Sequence, residues 1–230
     1  MQYLALGDFE AVAEIRADMI SHLGEDNPQV VLLDHELFQA QANWPLAIER
    51  MNQLPPNATN WHSTPWRTSF LYWSAEQYDK ALESLLEWQP NVLDPEAWEH
   101  GTGGTLGYNC IYASILIGAG EGVLGRQLLQ KVIDNIEQIP EADRVDMASP
   151  RSMALCYVMA GDHDQGIELL ESNLPGHSLL WTSYYWRHWP PFKRLEGTPR
   201  YDALLSRMEA ILADERALLA RLEAASGTKP

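Results

Sequence analysis

The fold class is decided by the stretch Glu76-Gln77-Tyr78-Asp79-Lys80-Ala81-Leu82-Glu83, which has counterparts at regular distances along the chain. Each counterpart is a short polar or glycine step, followed by a helical pattern with small residues on one side. The five steps begin at Gly7, Ala42, Glu76, Gly120 and Gly161. Their spacings of 35, 34, 44 and 41 residues indicate stacked helical hairpins, so we predict an all-α solenoid.

Proline and glycine residues mark the ends of the predicted helices, because both residues interrupt helical geometry. The repeat predicts helices over 11–22, 30–41, 45–54, 66–75, 78–88, 106–119, 123–139, 152–160 and 164–172. An aromatic segment, 178–189, is also expected to be helical. The last helix covers 199–225 and carries a broad apolar stripe, which favours a cap on the final repeat. We predict one domain over 1–225 and a disordered tail over 226–230.

Two recurring positions in each hairpin give the chain a family resemblance. An aromatic residue follows the turn in three hairpins, at Phe9, Trp44 and Tyr78, whereas the last two have Gly122 and His163. Three residues later the hairpins carry a small residue, and these are Val12, Ala47, Ala81, Gly125 and Gly166. This pattern resembles the tetratricopeptide repeat (TPR), although each repeat is degenerate. The resemblance implies a right-handed α-α superhelix of about five hairpins with a long C-terminal capping helix.

First helices of the family also carry a small residue, which lets the two helices of a hairpin approach closely. Ala113 and Ala154 fit that place and Ser69 is tolerable there, but His35 is not typical. The second hairpin is therefore expected to depart most from the family pattern.

The segment 191–205 carries a second resemblance. Its sequence, Pro191-Phe192-Lys193-Arg194-Leu195-Glu196-Gly197-Thr198-Pro199-Arg200-Tyr201-Asp202-Ala203-Leu204-Leu205, has Pro199 in the first turn of the last helix, with Thr198 as its expected N-cap. The segment resembles the closing part of bacterial TPR regions that follow adenylate-cyclase-like or winged-helix regulator domains. This resemblance implies the C-terminal sensory or docking part of a larger protein.

The composition excludes several classes of function. The chain has 230 residues with a formal net charge of −16, which repels nucleic-acid phosphates and anionic lipid headgroups. No apolar run approaches the roughly 20 residues that a membrane span needs. We therefore expect no nucleic acid and no membrane span among its interactions. The N-terminal residues do not form a signal peptide, and the compartment stays open, with the cytoplasm favoured over the periplasm.

No catalytic, metal or cofactor site is predicted. His35-Glu36-Leu37-Phe38-Gln39 begins like a zinc-protease helix but has Gln39 in place of the second histidine ligand. Asp162 precedes a helix and is expected to cap it rather than to bind a metal. The glycine-rich run 101–107 lacks the strand and the lysine of a phosphate-binding loop. Cys110 and Cys156 lie in apolar helical segments and are expected to be buried, reduced thiols.

The aromatic residues are the strongest candidates for a binding site. Nine Trp and nine Tyr are present, with clusters around 61–73 and 181–189. Trp66, Phe70 and Trp73 share one side of a first helix, where they are either core residues or anchors of a binding groove. With a groove, Arg67 and Arg151 would pair with acidic groups of the ligand. The stretched connection 91–104, flanked by Trp88 and Trp98, is a further place to look for a partner.

The sequence therefore favours a non-catalytic scaffold that binds a protein, a peptide or another ligand. Two alternatives remain open. One is an α/α enzyme acting on carbohydrate, with Trp residues as sugar platforms. The other is a homodimerisation module through residues 199–225, because the apolar stripe of the last helix could form a coiled coil.

Overall fold

The computed structural model describes residues 2–54, 65–98, 106–140, 150–172, 174 and 187–227. These residues form twelve α-helices and one 3₁₀ helix at Pro95–Ala97, with no strand in the part described. The α-helices are, in order, α1 Gln2–Leu6, α2 Phe9–Leu23, α3 Pro28–Ala40, α4 Trp44–Gln53, α5 Pro65–Ser74, α6 Tyr78–Trp88, α7 Leu106–Gly118, α8 Gly122–Gln138, α9 Pro150–Ala160, α10 His163–Ser172, α11 Pro190–Lys193 and α12 Pro199–Ser226. The predicted all-α class is confirmed.

The five predicted steps share one backbone conformation. The first residue of every step has a positive φ, with values of 70° at Gly7, 54° at Ala42, 59° at Glu76, 92° at Gly120 and 91° at Gly161. Each of these residues follows a helix and donates its N–H to a carbonyl three residues earlier, at distances of 2.9–3.4 Å. This left-handed residue is a common way to end a helix. The steps are therefore five equivalent turns between paired helices.

In four of the hairpins, one position on the first helix lies against the position 12 residues later on the second helix. His35 Nδ1 lies 2.8 Å from the carbonyl oxygen of Ala47, and the Ser69 hydroxyl donates to the carbonyl oxygen of Ala81 at the same distance. In both cases a polar side chain on the first helix reaches across to the small residue on the second. The untypical His35 is thus accommodated by a hydrogen bond, so the second hairpin keeps the repeat geometry.

The two later hairpins use glycine in the same register. A Cβ atom added to Gly125 would lie 2.8 Å from the carbonyl oxygen of Ala113, and one added to Gly166 would lie 3.1 Å from that of Ala154. Both distances are shorter than ordinary carbon–oxygen contacts. Glycine therefore occupies the place of alanine because these two helix pairs leave too little room for a Cβ atom.

The chain divides into two compact units, which are described separately. Unit 1 comprises 1–63, 176–189 and 202–230, and unit 2 comprises 64–175 and 190–201. The prediction of one domain over 1–225 stays a prediction.

Unit 1 combines an apolar cluster with a buried ion-pair network. Its cluster consists of Leu4, Val12, Leu37 and Ala40, with Tyr3, Phe9 and Leu33 packed against it. Asp34 in α3 is completely buried. Arg16 donates to both of its carboxylate oxygens, and Nη2 of Arg50 lies 3.2 Å from Oδ2. The buried charge is therefore paired, and it links α2, α3 and α4.

Unit 2 contains the hairpins α5–α6, α7–α8 and α9–α10, together with α11. Neighbouring hairpins pack through α6 on α7 and through α9 on both α7 and α8, and α11 packs on α9. The ring of Tyr78 lies against Gly118, where an added Cβ would be only 2.3 Å from ring carbons. The aromatic residue after the turn thus fills the space next to the following hairpin.

A disulfide joins Cys110 in α7 to Cys156 in α9, so the prediction of two reduced thiols is wrong. Both cysteines are completely buried, as expected. The packing of α9 on α7 brings their Cα atoms to 5.5 Å, a separation typical of disulfide bonds. This contact closes a loop across 46 residues of sequence.

The last helix runs from Pro199 to Ser226, one residue beyond the predicted end. The Thr198 hydroxyl donates to the carbonyl oxygen of Leu195 at 2.7 Å, and its role as the N-cap stays a prediction. In the first turn Arg200 pairs with Glu171 of α10 at 2.6 Å. Of the predicted disordered tail, Ser226 is helical and Gly227 lies in a turn, whereas 228–230 lie outside the described residues.

The apolar stripe of α12 changes its exposure along the helix. Tyr201, Leu204, Met208 and Leu212 are buried, whereas Leu218 and Leu222 are exposed. The prediction of a homodimer through 199–225 therefore stays a prediction and concerns chiefly the C-terminal half of the helix. Of the predicted helix over 178–189, residues 178–186 lie outside the described residues, and 187–189 form a turn and a bend. Among the described helices none combines the length and apolarity required to cross a bilayer.

Candidate functional site

Two of the predicted binding residues, Trp66 and Phe70, form an aromatic cluster with Tyr108. Trp66 and Phe70 are four residues apart on α5, and their rings stack with centroids 5.4 Å apart. Tyr108, at the start of α7, meets Trp66 edge-on at 4.8 Å. Trp66 and Phe70 are half-buried, and Tyr108 is 42% exposed. Edge-to-face and offset packing of this kind holds the rings in defined positions.

The third predicted aromatic residue, Trp73, belongs to the core. Its side chain is completely buried, and its Nε1–H donates to the hydroxyl oxygen of Ser114 at 2.9 Å. Its ring also supports Phe70 from beneath, with centroids 5.5 Å apart. Trp73 therefore has no exposed face for a ligand and acts as the support of the cluster.

The structure adds Tyr112, which the sequence did not single out, and Trp88, which the sequence named only as a flank of the connection 91–104. Tyr112 lies one turn after Tyr108 on α7 and is largely buried. Burial raises the pKa of the Tyr112 hydroxyl to about 12, and a hydrogen bond from Trp88 opposes that rise. The indole N–H of Trp88 is the donor, because indole nitrogen has no acceptor lone pair. Trp88 ends α6 and is 43% exposed.

We call Trp66, Phe70, Trp88, Tyr108 and Tyr112 the aromatic surface. All five belong to unit 2, on helices α5, α6 and α7. The residues of the surface on α7 could have been found from the sequence, because Tyr108 and Tyr112 are four residues apart and therefore share one face of a helix. Such a surface can bind apolar or aromatic groups.

The two predicted arginines do not lie exposed beside these rings. Arg67 is buried in α5, with 8% of its surface exposed, and Arg151 is half-buried in the first turn of α9. Burial lowers the pKa of Arg151 to about 10, so the guanidinium stays charged at neutral pH. Their pairing with acidic groups of a ligand stays a prediction.

The connection that follows Trp88 is anchored on α8 in its described part. The Nε1–H of Trp98 donates to the carbonyl oxygen of Val92 at 2.8 Å, and Lys131 donates to the carbonyl oxygen of Trp98 at 2.7 Å. The ammonium group of Lys131 also lies 6.0 Å from the Trp98 ring. Residues 99–104 of this connection, the glycine-rich run up to Thr105, and the aromatic cluster 181–186 with Trp61 lie outside the described residues.

Within the described ranges no three His, Cys, Asp or Glu side chains converge on a metal-sized site. His35 is buried, and both of its ring nitrogens form hydrogen bonds within the hairpin, one with the Gln39 side chain and one with the backbone of Ala47. Asp162 caps α10 as predicted, with its Oδ1 accepting the N–H of Gln165 at 3.1 Å. These residues therefore have structural roles in the fold.

No family model matches this chain, and comparisons with curated proteins and with solved structures also give no match.

Proposed function

We propose that this protein is a non-catalytic scaffold that docks a segment of a protein partner on the aromatic surface. The TPR-like superhelix and a role as the sensory or docking region of a larger bacterial regulatory protein are part of this proposal. The observation that carries it is the exposure of Tyr108 and Trp88, at 42% and 43%, on a layer of packed aromatic rings.

The rings are already held in place before a partner arrives. Trp66 holds Tyr108 by edge-on contact, and the indole of Trp88 lies within reach of the Tyr112 hydroxyl. Binding therefore loses little side-chain entropy, which otherwise costs about 0.5–1.5 kcal/mol for each immobilised side chain. Tryptophan and tyrosine are also the residues that most often dominate binding energy at protein interfaces.

The charge around the surface selects the chemistry of the partner. Exposed carboxylates follow Trp88 along the chain, at Asp94 and Glu96, and Glu87 precedes it. The whole chain carries a net charge of −16. We therefore assign the partner segment an apolar or aromatic anchor with basic flanking residues, since opposite charges accelerate association and exclude acidic competitors.

The test is selection from a displayed random peptide library on the full chain, followed by affinity measurements on synthetic copies. We expect the enriched peptides to combine an apolar anchor with lysine or arginine. Tyr108→Ala and Trp88→Ala should each weaken binding by about 30-fold, which corresponds to loss of an interface hot spot of about 2 kcal/mol.

Val123→Ala is the matched control, because Val123 is 65% exposed on α8 and is not part of the aromatic surface. It should leave the affinity unchanged. Peptides that bind Tyr108→Ala and Trp88→Ala as tightly as the unsubstituted chain would place the binding site elsewhere, and failure to enrich any peptide would argue against the scaffold function.

A further inference from the structure

A cavity of about 380 Å³ lies in unit 2, at a place that shares no residue with the aromatic surface. Helices α6 to α9 and α11 contribute the described residues that line it: Tyr78, Ser114, Ile117, Gly118, Arg126, Leu129, Gln130, Ile133, Met159, Ala160, Pro191 and Arg194. Its volume is typical of sites for small molecules.

Two guanidinium groups border this cavity, Arg126 from α8 and Arg194 from just after α11. Both side chains are exposed, and neither forms an ion pair within the described part of the chain. Within the described ranges the exposed Arg207 and Arg221 also form no ion pair, although Asp and Glu outnumber Lys and Arg in the whole chain by 32 to 16. By contrast, Arg16, Arg50 and Arg200 each pair with carboxylates.

Two carboxylates close in sequence to lining residues are engaged elsewhere. Glu76 pairs with Lys193 at 2.8 Å, and this ion pair links α11 to the turn between α5 and α6. Asp134 accepts a hydrogen bond from Gln130 at 2.8 Å. The described lining residues include no carboxylate, so the positive charge of the two arginines is not cancelled inside the cavity.

The rest of the lining combines apolar walls with two hydroxyl groups. Leu129 and Ile133 from α8 are buried, and Ile117 and Met159 are half-buried. The Ser114 hydroxyl accepts the Trp73 N–H and keeps its own proton for a further acceptor. The Tyr78 ring is packed on Gly118, so its position is fixed.

We propose that this cavity binds a small organic anion with a carboxylate head and an aliphatic body. The carboxylate would lie between Arg126 and Arg194, whose planar guanidinium groups suit carboxylate oxygens. The body would contact Leu129 and Ile133, where burial of each methylene group contributes to affinity. Both features are needed, because an exposed arginine pair alone binds anions weakly.

The test uses isothermal titration calorimetry of the full chain with three probes. Octanoate carries both features, octanamide keeps the body without the charge, and acetate keeps the charge without most of the body. We expect octanoate to bind one molecule per chain, with octanamide and acetate each at least about tenfold weaker. Equal affinity for octanoate and either other probe, or no octanoate binding, would overturn the proposal.

Substitution then locates the site. Arg126→Gln and Arg194→Gln should each weaken octanoate binding by about five- to tenfold, while octanamide binding stays unchanged. Arg207→Gln is the control, since Arg207 is exposed on α12 and does not line the cavity. All three arginines are exposed, so the variants should keep the melting temperature of the unsubstituted chain. Equal octanoate affinity in Arg126→Gln, Arg194→Gln and Arg207→Gln would exclude this cavity as the site.

These results are independent of the peptide experiment. Octanoate binding can be present when no peptide is enriched, and peptides can bind when the cavity takes no octanoate. Each proposal can therefore fail without deciding the other.

Discussion

Substitution of Gly125 by alanine tests the close approach of α7 and α8. An added Cβ would lie 2.6 Å from Cγ1 of Ile117, 2.8 Å from the carbonyl oxygen of Ala113 and 2.9 Å from the backbone nitrogen of Ile117. Two of these three atoms belong to the backbone, so no change of rotamer relieves the contact. The two helices must separate instead.

The net effect combines two opposing contributions. Overpacking costs about 1–3 kcal/mol, and the backbone contacts place this site at the upper end. Alanine gains about 1 kcal/mol over glycine in helix propensity. We therefore expect the free energy of unfolding to fall by about 2 kcal/mol, which lowers the melting temperature by about 4–8 °C in a chain of this size.

Two further glycines provide a graded comparison. A Cβ on Gly166 would lie 2.5 Å from Cγ2 of Val158, but its nearest backbone atom, the carbonyl oxygen of Ala154, is 3.1 Å away rather than 2.8 Å, so a smaller loss is expected. A Cβ on Gly122 would meet only the flexible end of Arg126 at 3.2 Å, so the change should stay within about 0.5 kcal/mol.

The assay is urea unfolding followed by far-ultraviolet circular dichroism, with the midpoint and slope fitted for all three variants. The expected order of destabilisation is Gly125→Ala, then Gly166→Ala, then Gly122→Ala. A Gly125→Ala variant as stable as Gly122→Ala would refute the close contact and, with it, our explanation of glycine in the later hairpins.

Three further predictions concern a covalent link, a strained turn and a buried phenol. Reduction of Cys110–Cys156 should lower the free energy of unfolding by about 4 kcal/mol, from the chain-entropy relation for a loop of this length; equal urea midpoints with and without reductant would contradict it. Ala42→Gly should raise the free energy of unfolding by about 0.5–1 kcal/mol, because Ala42 has φ 54° and glycine adopts this conformation without strain. The gain is reduced by the greater conformational entropy of glycine in the unfolded chain, and a lower melting temperature would contradict the prediction. The pKa of the Tyr112 hydroxyl is raised to about 12 in the folded chain, against 10 in the unfolded chain. The protonated hydroxyl therefore contributes fully to the free energy of unfolding below pH 10, and this contribution is lost as the pH rises to 12. Tyr112→Phe should reduce that alkaline loss by about 2–3 kcal/mol in urea titrations at both ends of this range, and an unchanged loss would contradict it.

The turns and helices could be predicted from sequence because their signals are local. Each hairpin turn needs a residue that tolerates positive φ, and three of the five positions are glycine. Ala42 and Glu76 adopt the same conformation without that signal, and only the repeat spacing identified them. The helix Tyr78–Trp88 was predicted to the residue, since the repeat places an aromatic residue directly after the turn and Pro90 follows the end of the helix.

Features that depend on contacts between distant residues could not be predicted. The disulfide requires that Cys110 and Cys156 meet across two packed helices, and sequence spacing gives no such distance. Trp66 and Trp73 lie on one helix with similar local patterns, yet only Trp73 is completely buried, with its partner Ser114 41 residues away. Trp88 was named from the sequence only as a flank of the connection 91–104, and its relation to Tyr112 of α7 became visible only in the structure.

The most direct test of the central proposal is the affinity of one selected peptide for the double variant Tyr108→Ala/Trp88→Ala. We predict an affinity at least about 100-fold weaker than that of the unsubstituted chain, because both side chains are substantially exposed. The melting temperature should fall by only about 1–6 °C, since the lost ring packing contributes about 0.5–1.5 kcal/mol to stability. An unchanged affinity in a folded double variant would contradict the proposal that the aromatic surface is where this protein binds its partner.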